Sequence, residues 1–175
     1  MNDLPAPVNG HANGQWIEAA QRCFEPQLVR YARTFVGRSD LASEIVQDTF
    51  LQLCQQAAPA ADFNLGAWLF RVCRNRAIDV QRKEKRMQTD AMTVLDSAIS
   101  EAADPATIAL DNESVNRIGQ MLTGLSENQQ EVVRLKFQNG FSYREIAEVT
   151  GLTVSNVGVQ LHEALKKIRE RMKET

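Results

Sequence analysis

The chain has 175 residues, 43% of them apolar and 24% charged, and a formal net charge of −2. That is enough apolar material for packed cores, in one domain or two small ones, and it excludes a chain that coats nucleic acid by bulk electrostatics, which needs a large positive excess. No stretch approaches the ~20 apolar residues of a membrane span, and the N-terminus lacks the basic start and apolar run of a secretory signal, so the sequence points to a soluble cytoplasmic protein.

Residues 1 to 13 are rich in Pro, Gly and Asn and read as a leader. From Trp16 the apolar residues Ile17, Ala20, Phe24, Leu28, Tyr31 and Phe35 recur at three- and four-residue steps, one stripe of a helix, with Pro26 predicting a bend or break and Gly37 a stop. Ser39 or Asp40 can cap a second helix carrying Ile45, Val46, Thr49, Phe50 and Leu53, which ends before the AAPAAD segment around Pro59. Its other side bears Glu44, Gln47, Asp48, Gln52 and Gln55, alternating with Phe50 and Leu51, a face like that of many amphipathic helices.

A third helix is expected from about Asn64 to Arg86, with Leu65, Trp68, Leu69, Val72, Cys73 and Ala77 on the apolar side. Its polar side carries Arg71, Arg74, Asn75, Asp79 and Arg82. From Arg71 to Arg86, seven basic residues, among them Lys83, outnumber two acidic ones, a local +5. A positive stripe attracts phosphates, while Asn75 and Asp79 offer groups that accept hydrogen bonds from bases. The small, apolar loop before the helix suits a pocket for an unstacked base. The plainer alternative is a solvated helix end.

Between Met87 and Leu110 there are four acidic residues and no Lys or Arg, which reads as an acidic linker. Val115, Ile118 and Leu122 then open a second helical domain, and two capping boxes follow, Ser126 with Gln129 and Ser142 with Glu145. Ser142 to Met172 reads as helix, tight turn, long helix. Ala147 is small where the second helix crosses, Gly151 reverses the chain, Val157 plugs the crossing, and Ile146 and Leu152 complete the core. Along the second helix Val157, Leu161, Ala164, Leu165, Ile168 and Met172 share a face. Ser155, Asn156, Val159, Gln160 and Glu163 point outward, as in a helix that enters a major groove. Asn and Gln suit adenine, and Val159 suits a thymine methyl. Phosphate anchoring falls to Arg144, Lys166 and Lys167 and to the helix N-terminus at Thr153. A helical hairpin with a merely solvated polar face is the alternative.

His11 and His162 are far apart and unaccompanied, so neither a metal site nor a catalytic triad is expected, nor a cofactor or small-molecule substrate. Cys23, Cys54 and Cys73 form no CxxC pair and are read as buried thiols in a reducing compartment.

Three stretches in this order, SEIVQDTFLQL, AWLFRVCRNRAIDVQRKEKR and LSENQQEVVRLKFQNGFSYREIAEVTGLTVSNVGVQLHEALKKIR, resemble the extracytoplasmic-function (ECF) sigma factors of the sigma-70 family. The resemblance implies an all-α chain of two small helical domains joined by a flexible acidic linker. Residues 14–86 would dock on RNA polymerase and read the minus-ten promoter element, residues 87–110 would be the linker, and residues 111–175 would read the minus-thirty-five element with the helix-turn-helix.

By the same resemblance Asn75 would receive a flipped non-template base, and Arg71, Arg74, Asp79, Arg82 and Lys83 would follow that strand. Pro59 to Asn64, including Phe63, would shape the base pocket. Gln47, Asp48, Phe50 and Leu51 would meet the clamp helices of the polymerase largest subunit. It also implies an anti-sigma partner. The chain departs from the family pattern at Gly158, Val159 and Gln160, where a basic-small-basic triplet is usual, and at Glu163, where Arg is common. The competing function is a helix-turn-helix regulator that works without the polymerase, which leaves the first 86 residues without a role.

Overall fold

The structure is a computed structural model and describes residues 13–55, 63–92, 122 and 124–174. Pro59, Val115 and Ile118, the leader as far as residue 12 and the acidic segment past Met92 lie outside the described residues. Within them the chain is all-helical, with no strand: α1 (Asn13–Val36), α2 (Ser39–Gln55), α3 (Leu65–Met92), α4 (Glu127–Phe137), α5 (Tyr143–Thr150) and α6 (Val154–Glu174). These helices fall into two compact units, α1 to α3 and α4 to α6.

In the first unit the stripe on α1 is buried, with Ala20, Phe24, Leu28 and Tyr31 all in the core. Pro26 lies inside α1 and does not break it. The proline is on the exposed side, where water can serve the Arg22 carbonyl that loses its donor, and the Gln27 side-chain amide donates to the Cys23 carbonyl at 3.3 Å in the same turn. Gly37, at φ 70°, ends α1 and donates its N–H to the Arg33 carbonyl. Arg38 and Asp40 pair at 2.5 Å across the start of α2, which holds the Asp40 carboxyl below its usual range.

Aromatic rings knit α1 to α3. Tyr31 meets Phe35 edge-on at 5.2 Å and Phe70 of α3 at 5.0 Å. Gln81 donates to the Phe35 carbonyl at 3.0 Å, which ties the middle of α3 to the end of α1. Cys73 is fully buried beside Thr49, and burial pushes its thiol up to about 12. Cys23 and Cys54 are exposed, contrary to the expectation of buried thiols, because each falls on the solvent side of its helix.

In the second unit both capping boxes form. Ser126 accepts from the Gln129 N–H and Ser142 from the Glu145 N–H, each returned by the partner's side chain. Gly151 closes α5 at φ 76°, a left-handed conformation in which glycine carries no Cβ penalty. Val157, Ile146 and Leu135 are fully buried where the helices cross, with Leu161 and Ala164 beside them, while Leu152 is half-buried. Met172, expected on the apolar face, is exposed.

Candidate nucleic-acid interface

Helix α3 changes character along its length. Leu65 to Phe70 are buried all round, and from Arg71 one side opens to solvent. Asn64, expected in a base pocket, accepts the Ala67 N–H at 3.0 Å through its side chain and so is the N-cap that fixes where α3 starts. Arg71, Asn75, Asp79, Arg82 and Lys83 are exposed, at steps of four, four, three and one, so they form one outward stripe, with Arg74 half-buried at its edge. The stripe from Arg71 to Arg82 is about 16 Å long.

Helical phase places Trp68 in line with that stripe, not opposite it as the periodicity suggested. The ring is nonetheless buried, with Phe63 tilted against it at 6.0 Å. The stripe therefore begins at an aromatic pair. Helix α3 also continues six residues beyond Arg86, into what reads in sequence as linker.

On α2 the exposed residues Glu44, Gln47, Leu51 and Gln55 fall in one row with half-buried Asp48. Leu51 is 58% exposed at the centre of this row. Phe50, read with it as part of a protein-docking surface, is corrected: it is 6% exposed and packs into the core, because one residue along a helix turns the side chain by about 100°. Asp48 is bridged to α3, taking bonds from Arg76 Nε at 3.0 Å and Nη2 at 2.6 Å. A groove of about 360 Å³ lies between the two helices, lined by Leu41, Ile45, Val80 and Met87 together with charged residues.

In the second unit, Arg144, Thr153, Ser155 and Asn156 are exposed, as are Lys166 and Lys167, and Val159 is 52% exposed. Gln160 is half-buried and donates to Asn156 Oδ1 at 3.4 Å. Thr153 serves α6 as its cap, its hydroxyl accepting the Asn156 N–H at 3.2 Å.

Sequence reasoning missed a second use of Gln129. This buried side chain donates to Glu163 Oε2 at 3.0 Å and accepts from Lys167 Nζ at 3.1 Å, so α4 and α6 are joined by polar bonds as well as by apolar packing. Lys167 thus reaches back toward α4. The capping-box pattern marked Gln129 as a helix start, but nothing in the local sequence signals its reach to α6. Also unforeseen is the ring of Tyr143 under Lys136 Nζ, 5.6 Å from its centroid.

Among the described residues no group of acidic, His or Cys side chains is arranged to hold a metal ion, and no described helix is long and apolar enough to cross a membrane.

The family model for sigma-70 region 2 matches residues 21–87, and the model for sigma-70 region 4 matches residues 116–168. The two together span more than half of the chain. The ECF RNA polymerase sigma factor SigL of Mycobacterium tuberculosis is 29% identical over 151 residues, which are 84% of this chain and 83% of that protein. SigD of Mycobacterium bovis, another ECF sigma factor, is 27% identical over 155 residues, 84% of this chain and 72% of that one. Among solved structures, the sigma factor RpoE of Bartonella quintana, in complex with the anti-sigma factor NepR, is 25% identical and superposes with a TM-score of 0.67 over 89% of this chain and 96% of that one. With the region 2 match covering α1 to α3 from Gln21 and the region 4 match covering the helix-turn-helix, the chain belongs to the ECF sigma factors of the sigma-70 family.

Proposed function

We propose that this chain docks on core RNA polymerase through the Gln47, Asp48 and Leu51 row of α2, captures unpaired minus-ten bases along α3, and reads the minus-thirty-five duplex with α6. It is a binding subunit without chemistry of its own, and its working place is the cytoplasm, where polymerase and promoter are. The observation that carries the reading is the outward stripe of α3, in which Asn75 stands between Arg71 and Arg82, facing solvent.

Unstacking a base costs a few kcal/mol, and cations along the strand together with a fitted pocket recover it. Asn75 has both a donor and an acceptor for the edge of a flipped base, and half-buried Phe63 against buried Trp68 offers an aromatic end to the pocket. Phe50 supports docking from inside, by holding the α2 row in place. The 14–86, 87–110 and 111–175 division serves these roles, with the acidic linker suited to a positively charged path in the polymerase. A partner that covers these surfaces, of the anti-sigma kind bound to the Bartonella relative, is the natural off-switch. A stand-alone helix-turn-helix regulator is not favoured, because the region 2 match and the whole of α1 to α3 have no task in it.

In vitro transcription with core enzyme, this chain and a library of promoter fragments tests the proposal. Specific initiation should require the chain, and Asn75→Ala should lower open-complex formation by about tenfold or more with the unfolding midpoint unchanged, the loss of one base pocket. Initiation that is indifferent to Asn75→Ala, or no specific transcript at all, refutes it.

A further inference from the structure

The reading face of α6 has a narrower chemistry than a general major-groove helix. From Val154 to Leu165 it contains no Arg and no Lys. Guanine shows two acceptors in the major groove, N7 and O6, and Arg or Lys are the side chains that match them. Recognition helices touch bases with their N-terminal residues. The first cation on α6, Lys166, lies twelve residues beyond Val154, about 18 Å along the axis. Arg144 belongs to α5, the helix that in this motif crosses the phosphate backbone.

What the face does carry is a joined amide pair. Gln160 Nε2 donates to Asn156 Oδ1, which leaves Asn156 Nδ2 as a donor and Gln160 Oε1 as an acceptor for an outside group. Adenine presents the complement, an N7 acceptor beside an N6 donor. Apolar contacts flank the pair, with Val159 52% and Val154 45% exposed. On this face they match the C5-methyl of thymine, the apolar group in that groove. Glu163 is the one side chain suited to accept from cytosine N4. Its carboxylate is held by the amide of the buried Gln129, which draws it toward α4.

We infer that α6 selects an upstream duplex element built on A·T pairs: Asn156 and Gln160 together read adenine, Val159 and Val154 pack on thymine methyls, and no guanine is read directly. The inference rests on the sigma-factor reading above and names the base class that its second unit takes. Ser155 adds a contact that fits any base, and Lys166 holds a phosphate further along the groove.

The test is selection of a duplex library, randomised across a promoter length, by holoenzyme assembled from core polymerase and the full chain, followed by sequencing of the bound fraction. Two or three upstream positions should be A·T, each preferred about tenfold over G·C, the lower end of what one good base contact supplies. Gln160→Arg should move one of these positions toward G·C by a similar factor, and Asn156→Ala should flatten one, each with an unchanged downstream element. An upstream element dominated by G·C pairs, or one with no base preference beside a clear downstream element, overturns the inference and leaves the sigma-factor reading standing. No enrichment of any sequence by the holoenzyme overturns that reading, and the inference with it.

Discussion

Two glycines seven residues apart in the helix-turn-helix should respond to alanine with opposite signs. Gly158 is the fifth residue of α6, inside regular helix, where glycine is about 1 kcal/mol less favourable than alanine. A Cβ built there meets Tyr143 Cε2 at 3.7 Å, an ordinary contact with neither clash nor void, so Gly158→Ala should stabilise the second unit by about 1 kcal/mol. For a unit of this size that is a rise of roughly 4–8 °C in midpoint. Gly151 also has open space around it, but its φ of 76° is the left-handed region, and Gly151→Ala should cost about 1–2 kcal/mol from backbone conformation alone. Both effects are read by circular dichroism at the helical band during denaturant unfolding of the full chain, since Trp16 and Trp68 lie in the first unit and do not report on the second. A Gly158→Ala midpoint at or below that of the parent would refute the reasoning, because it would mean that residue 158 is not in helix or that Tyr143 closes over it.

Phe50→Ala should destabilise the first unit by about 3–5 kcal/mol, as loss of a buried ring does, whereas Leu51→Ala should leave unfolding within about 0.5 kcal/mol and weaken capture of core polymerase by about 1–2 kcal/mol in a competition assay. At neutral pH a thiol reagent should modify Cys23 and Cys54 promptly and Cys73 only as the unit opens, counted by mass. Because burial raises the Cys73 thiol from 9.0 to about 12, the unfolded chain releases that proton first. Its contribution to stability is therefore complete below pH 9 and is lost between pH 9 and 12, by about 1.4 kcal/mol per pH unit, a slope that Cys73→Ala should remove in denaturant titrations. The bridge from Arg76 to Asp48 is half-exposed, so a double-mutant cycle with alanine at both positions should give a coupling of about 1 kcal/mol or less.

The helices and their starts were legible because each is written in a local rule. The α1 stripe has the helical period, Ser126 and Ser142 stand three residues before Gln129 and Glu145, and Gly151 sits where a left-handed residue is needed. The exposed stripe of α3 was legible for the same reason. The failures share a different cause: they depend on what another helix does. Whether Phe50 or Leu51 faces out is a matter of phase, fixed only when α1 and α3 cover one side of α2. Whether Cys23 and Cys54 are buried depends on how wide those neighbours are. The expectation at Pro26 is a bend or break, and α1 runs on through it unbroken, with the ring on the wet side and its apolar stripe fastened to two partners. Gln129 obeyed its local pattern and also reached across to Glu163 and Lys167, a reach set by the crossing of α4 and α6.

Helix α3 is 28 residues long, about 42 Å; it is buried all round from Leu65 to Phe70, opens on one side from Arg71, and is tied once more to α1 at Gln81. Its open side is thus backed by a stiff support. In the proposed role, a strand laid along that open side would meet a backbone already fixed, so little of the protein's chain entropy would be lost on binding. The same stiffness would carry a change the other way: a smaller side chain at Phe70 or Tyr31, which meet at 5.0 Å, would displace the cations further along α3 together with its root. Substitutions deep in the aromatic cluster should thus alter grip on single strands without ever touching them.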